Sequence, residues 1–103
     1  PQPVLGTPVA GSPAERAGLQ AGDRVLQMAA AGEEGSPVAS FDDLRWRLTQ
    51  AALDGQDVTL DTDKVLGKSG PNLKIDVKDA AAYKFAINAN DSAEPVLKVN
   101  KVE

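Results

Sequence analysis

Four aspartates fall close together in the sequence and could bind a metal ion. The stretch DGQDVTLDTD carries Asp54, Asp57, Asp61 and Asp63, and carboxylate oxygens are ligands that Ca²⁺ prefers. The stretch lacks the alternating Asp/Asn positions and the closing glutamate of a calcium-binding loop. Alternating aspartates along a strand are more typical of a solvent-facing edge, so we expect no metal site.

A serine beside a lysine is the second candidate, because it could form a Ser–Lys dyad. Ser69 adjoins Lys68, and Lys64 lies slightly earlier. The chain has no His and no Cys, so it lacks the commonest general base and any thiolate nucleophile. Ser69 falls in a predicted hairpin turn, while Ser12 and Ser40 are explained as helix N-caps. We therefore expect no catalytic residue.

Composition limits the remaining function classes. The 103 residues fit one domain, and its core must be aliphatic because aromatic residues make up only 4%. The net charge is −4 with acids and bases interspersed, which argues against a nucleic-acid partner. No apolar run approaches the roughly 18 residues that span a bilayer. We expect no membrane insertion by this segment, a monomer, and an origin as a piece of a larger protein.

The stretch SPAERAGLQAGDRVLQM predicts a very short helix followed by a turn and a strand. Ser12 is a good N-cap, Pro13 suits the first helical position, and Glu15 completes a capping box. Gly18 is the expected left-handed C-cap, with Leu19 placed for the hydrophobic contact that follows such a cap.

A longer helix is predicted from Ser40 to Gly55. Ser40 is again an N-cap with Asp43 three residues later, and apolar residues recur at spacings of three and four. Trp46 falls on the opposite side of this helix. Alternation and turn residues predict strands elsewhere, at 3–10 (irregular or at an edge), 24–30, 57–63, 73–79, 83–87 and 96–102.

In this order of elements the chain resembles a PDZ domain. The resemblance is carried by GSPAERAGLQAGDRVLQM (11–28), SFDDLRWRL (40–48) and VTL (58–60), and it covers roughly residues 3–79. It implies an α+β fold, a small, partly open antiparallel β-barrel or sandwich of five to six strands with one short and one longer helix. The chain departs from the family after the first clear strand, where MAAAGEEGSPV replaces a short Asn/Asp-Gly turn.

A second departure concerns the strand that binds ligands in this family. It normally precedes the strand leading into Gly-Ser-Pro, but only Pro1 and Gln2 precede that region here. A circularly permuted arrangement could supply it from 83–87. We therefore expect a PDZ core over 1–79 and a tail over 80–103 that completes the fold. Two alternatives stay open: a strand that merely completes the sheet, or the start of a second PDZ unit.

The resemblance also implies where a peptide would bind. PDZ domains add an extended peptide as a strand beside a sheet edge, with the longer helix as the other wall. The groove candidates are Phe41, Arg45, Leu48, Tyr83, Phe85 and Ile87. For Phe41 and Leu48 the alternative is plain core packing, and for Arg45 it is a solvated surface position.

Trp46 is a candidate for contact with another protein. An aromatic ring on an outer helix face often marks such a contact. The alternative is that the segment 80–103 packs over Trp46.

Among PDZ-bearing proteins, the chain is similar to the periplasmic PDZ domains of bacterial site-2 protease homologues, which are membrane-embedded zinc metalloproteases. This implies a non-catalytic module with no cofactor of its own, zinc in the parent, and a periplasmic location in an inner-membrane protein. Its partners would be an extended peptide or substrate segment and other domains of the parent. The alternatives are a C-terminal-peptide-binding PDZ domain of a periplasmic serine or carboxy-terminal processing protease, and an assembly domain of a secretion system.

Overall fold

The computed structural model describes residues 2–30, 32–78, 85–88 and 96–99, the last two ranges by their backbone alone. Within these ranges the chain forms two helices and six strands. In chain order they are α1 (Pro13–Ala17), β1 (Val25–Ala30), β2 (Ser36–Pro37), α2 (Phe41–Leu53), β3 (Val58–Val65), β4 (Asn72–Val77), β5 (Phe85–Asn88) and β6 (Val96–Val99). The expected α+β, PDZ-like class is confirmed.

Four strands form an open antiparallel sheet in the order β2-β1-β3-β4, and β5 pairs with β6 in a separate two-stranded sheet. Met28 lies opposite Leu60, and Leu60 lies opposite Ile75, so one face of β1, β3 and β4 carries apolar side chains. β3 runs two residues beyond the predicted strand, to Val65. β2 is only two residues long and falls within the divergent stretch MAAAGEEGSPV.

The short helix α1 is capped at both ends as the sequence predicts. The Glu15 backbone N–H donates to the Ser12 hydroxyl, and Gly18 adopts a left-handed φ of 97°. The N–H groups of Gly18 and Leu19 return to the carbonyls of Glu15 and Ala14, which is a Schellman motif. The Glu15 carboxylate accepts from the Gly11 N–H rather than from Ser12, so the capping box reaches one residue further back. The helix thus begins and ends within two turns.

The N-terminal segment pairs only briefly with the rest of the chain. Val4 forms an isolated antiparallel bridge to Arg24. Leu5 donates to the carbonyl of Asp23 and accepts from the N–H of Gly22 at 2.8 Å each. An irregular strand is expected over residues 3–10, but strand-like pairing covers only two of these eight residues. The contacts of Val4 and Leu5 fix the turn that follows α1.

The core lies between the sheet and α2. It is aliphatic, with one aromatic side chain among the described residues, and contains Leu5, Ala14, Leu19, Val25, Met28, Val38, Phe41, Leu44, Leu48, Ala51, Val58, Leu60, Ile75 and Val77. None of the described helices is long and apolar enough to cross a bilayer.

Two strands occur in the segment that the sequence assigns to the C-terminal tail. β5 comes within 8 Å of α1, and β6 comes within 8 Å of α2, measured between Cα atoms. The division into a core over 1–79 and a completing tail over 80–103 stays a prediction, as does the circular permutation.

Candidate functional site

The helix that would form one wall of a peptide groove is held at its start by a second capping arrangement. The Asp43 N–H donates to the Ser40 hydroxyl at 3.1 Å, and the Asp43 carboxylate accepts from the Ala39 N–H at 3.0 Å. Both interactions satisfy backbone donors that a helix N-terminus leaves open. The start of α2, and therefore the position of Phe41, is fixed by local sequence.

Arg47 ties α2 to the opposite edge of the sheet. Its guanidinium donates to the carbonyls of Pro37 at 2.9 Å and Met28 at 3.1 Å, and to the Ser36 hydroxyl. It also lies 3.6 Å from the Asp43 carboxylate. Five N–H donors in a planar fork suit this set of acceptors, which a lysine could not all reach. Sequence reasoning missed this role, because acceptors on the distant β1 and β2 backbones leave no local pattern.

An open cleft of about 230 Å³ lies beside Arg47, between α2 and the end of β1. Its walls carry the acidic side chains Glu33, Glu34 and Asp54. The guanidinium of Arg47 is engaged with backbone carbonyls, so the cleft presents acidic and neutral polar groups to solvent.

The three predicted groove residues on α2 lie in two different environments. Phe41 is 5% exposed and Leu48 is 2% exposed, and both belong to the core. Arg45 is partly exposed, and its guanidinium has no hydrogen bond or ion pair with a described residue. Arg45 is therefore the predicted groove residue on α2 best placed to meet an external group. The groove role of all three stays a prediction.

β6 is a strand whose Cα atoms come within 8 Å of α2. Phe85 and Ile87 lie on β5, whose neighbouring helix is α1. Tyr83 lies outside the described residues. The groove role of these three residues stays a prediction, and the backbone places β6 as a further strand that could face α2.

Trp46 and Leu53 form an exposed apolar pair on α2. They are seven residues apart and thus share one helix face, and they are 64% and 62% exposed. Exposure of an indole ring to this extent makes Trp46 accessible to a partner. The alternative, that the segment 80–103 covers Trp46, concerns residues that lie largely outside the described ranges.

Several of the remaining polar candidates have structural partners. Lys74 lies 3.7 Å from the Asp61 carboxylate, and the Asp63 carboxylate accepts from the Arg24 N–H at 3.0 Å. Across the described ranges, no three His, Cys, Asp or Glu side chains are arranged to hold a metal ion. Lys64 donates to the Gly18 carbonyl, so its ammonium is committed to the end of α1.

Two comparisons with known proteins agree with this architecture. A family profile described as "PDZ domain" matches residues 4–28, which include α1 and most of β1. The chain is also 34% identical over 79 residues to a protein of Ralstonia nicotianae named "Putative zinc metalloprotease". That stretch is 77% of this chain and 16% of the relative, so the chain spans a small part of the relative's length.

The profile match at residues 4–28 contains the capped helix α1 and the start of the sheet. The rest of the described chain adds α2 and the other strands of the open antiparallel sheet. The profile match, the similarity to the metalloprotease relative and the described fold together support a PDZ domain.

Proposed function

We propose that this domain is a non-catalytic periplasmic module of a membrane-embedded zinc metalloprotease of the site-2 protease kind. It would regulate which substrates reach the membrane-embedded active site. The observation that carries the proposal is the 34% identity with the Ralstonia metalloprotease over most of this chain. Zinc in the parent would be held by residues outside this segment, which contains no His and no Cys.

Regulation of access needs a domain that keeps its shape. α2 is bound to β1 and β2 through Arg47, and β3 is bound to the α1 corner through Lys64. Hydrogen bonds that join distant parts of the chain in this way oppose local opening. A folded domain beside the active-site entrance would exclude bulky, unprocessed substrates by size, without a tight ligand.

Recognition of an extended segment is the second way in which the same domain could regulate access. A substrate strand lying along α2 would pass Arg45, whose guanidinium can bind a carboxylate in a bidentate manner. This route predicts a preference for acidic segments. It also predicts weak affinity, because among the described α2 positions with a proposed groove role only Arg45 offers a free charge.

A peptide titration separates this proposal from capture of free C-termini. Peptides with a free C-terminus and their amidated forms are titrated into the domain, together with the Arg45→Gln variant and a Lys74→Gln control on β4. We expect weak binding that is equal for the two peptide forms and is lowered only by Arg45→Gln. Micromolar affinity that requires the free carboxylate would overturn the proposal in favour of a C-terminal-peptide-binding PDZ domain.

A further inference from the structure

The turn between β3 and β4 exposes two adjacent apolar side chains. Val65 is 49% exposed and Leu66 is 64% exposed. The turn itself is well formed: the Leu66 N–H donates to the Pro71 carbonyl at 2.9 Å, and Gly67 takes a left-handed φ of 93°. Turns of this type normally carry polar residues. Residues 65–70, called the β3–β4 tip below, therefore form a well-ordered turn that exposes the apolar side chains of Val65 and Leu66.

The β3–β4 tip carries a single charge, the cation Lys68, between Asp63 on β3 and Asp76 on β4. Residues 64–75 contain Lys64, Lys68 and Lys74 and no acidic residue, in a chain whose net charge is −4. Lys64 and Lys74 pair with Asp23 and Asp61. Lys68 is exposed and pairs with none of the described residues. The apolar pair thus has a free cation two residues away.

We propose that the β3–β4 tip docks on an anionic lipid surface, with Leu66 and Val65 entering the interface and Lys68 meeting lipid phosphates. Apolar side chains buried at the headgroup boundary combine with basic residues near anionic lipids in peripheral membrane contacts. This proposal rests on the proposed function in one respect, that the parent keeps the domain beside a bilayer. The sequence led us to expect no membrane insertion by this segment. The proposal differs from that expectation because the exposure of Val65 and Leu66 is visible only in the folded chain.

The exposed pair on α2 fits a lipid surface less well. Trp46 and Leu53 are as exposed as Leu66, and Arg45 adjoins Trp46. Asp42 and Asp54, however, lie at the two ends of α2 and would face anionic phosphates. Leu53 and Leu66 also lie near opposite ends of β3. A flat bilayer that meets the β3–β4 tip therefore leaves Leu53 free, which makes it a matched internal control.

The test uses the full 103-residue chain with bicelles that carry a paramagnetic lipid, and measures relaxation of each backbone amide. With anionic phosphatidylglycerol in the bicelles, we expect enhancement at residues 65–68 and little at 46 and 53. Phosphatidylcholine bicelles should give little at either place. Leu66→Asp should lower the bound fraction about tenfold, from the apolar area it removes from the interface. Lys68→Glu should lower it several-fold, and Leu53→Asp should leave it unchanged.

No enhancement at residues 65–68 in anionic bicelles, or equal enhancement at residue 53, would overturn the proposal. An equal loss with Leu53→Asp and Leu66→Asp would also overturn it, since it would reveal non-specific adsorption. Both variants change exposed side chains, and a thermal melt checks that each is folded. Absence of lipid binding by the β3–β4 tip would not contradict the proposed role in substrate regulation, because that role is tested separately by cleavage in the parent.

Discussion

The ammonium group of Lys64 lies 3.1 Å from the Asp23 carboxylate and 2.8 Å from the Gly18 carbonyl oxygen. Asp23 is largely buried, and its carboxylate also accepts from the Gln20 N–H at 2.9 Å. A single side chain of β3 thus fixes both the C-terminal end of α1 and the turn that leads into β1. The corner carrying the most recognisable part of the sequence is held by a residue more than forty positions away.

Lys64→Met should destabilise the fold by about 1–3 kcal/mol, because it leaves the buried Asp23 carboxylate without its counter-ion. Urea unfolding followed by circular dichroism measures this loss. The control is Lys74→Met, which removes an ion pair whose lysine is 67% exposed and should change the unfolding free energy by less than about 0.5 kcal/mol. Equal losses in the two variants would show that the Lys64 contact has no special role.

Arg47→Lys should destabilise the fold by about 1–2 kcal/mol, since a lysine cannot satisfy the carbonyls of Met28 and Pro37 together. The loss should be local to the β2 edge. Hydrogen exchange of the Val38 amide, which donates to the Leu26 carbonyl at 3.0 Å, should quicken more than exchange at β3. Arg45→Lys on the same helix is the control and should leave exchange at Val38 unchanged.

The sequence predicted most of what is determined locally. Serine caps, the Gly18 C-cap and helical spacing are fixed by neighbours along the chain, so both helices were predicted within two residues. Alternation placed β1, β3 and β4 for the same reason. The roles of Lys64 and Arg47 could not be predicted, because their partners lie on strands and turns that only tertiary folding brings near.

The candidate site was predictable only in part. Helical spacing put Phe41, Arg45 and Leu48 near one face, but periodicity alone cannot separate a core position from a groove wall. Burial in the structure makes that separation, and Arg45 is the one of these three side chains that is not buried. The exposure of Leu66 could not be predicted either, because sequence periodicity does not distinguish an exposed apolar residue near a strand end from a core residue.

Truncating a buried apolar side chain should destabilise the fold far more than truncating an exposed one. Leu60→Ala, at a fully buried position on β3, should cost about 2–5 kcal/mol by removing core contacts and leaving a cavity. Trp46→Ala removes a larger side chain that is 64% exposed and should change the unfolding free energy by about 0.5 kcal/mol or less. Thermal or urea unfolding of both variants measures the difference. A large loss from Trp46→Ala would mean that the indole packs within the fold and is not available to a partner.

A cleavage assay of the proposed parent protease is the decisive test of the proposed function. The full-length enzyme is compared with a form lacking residues 3–79, on one substrate with a folded extracytoplasmic part and on the same substrate trimmed to its membrane segment. We predict that removing the domain speeds cleavage of the folded substrate and leaves cleavage of the trimmed substrate unchanged. Unchanged discrimination between the two substrates after the domain is removed would contradict it.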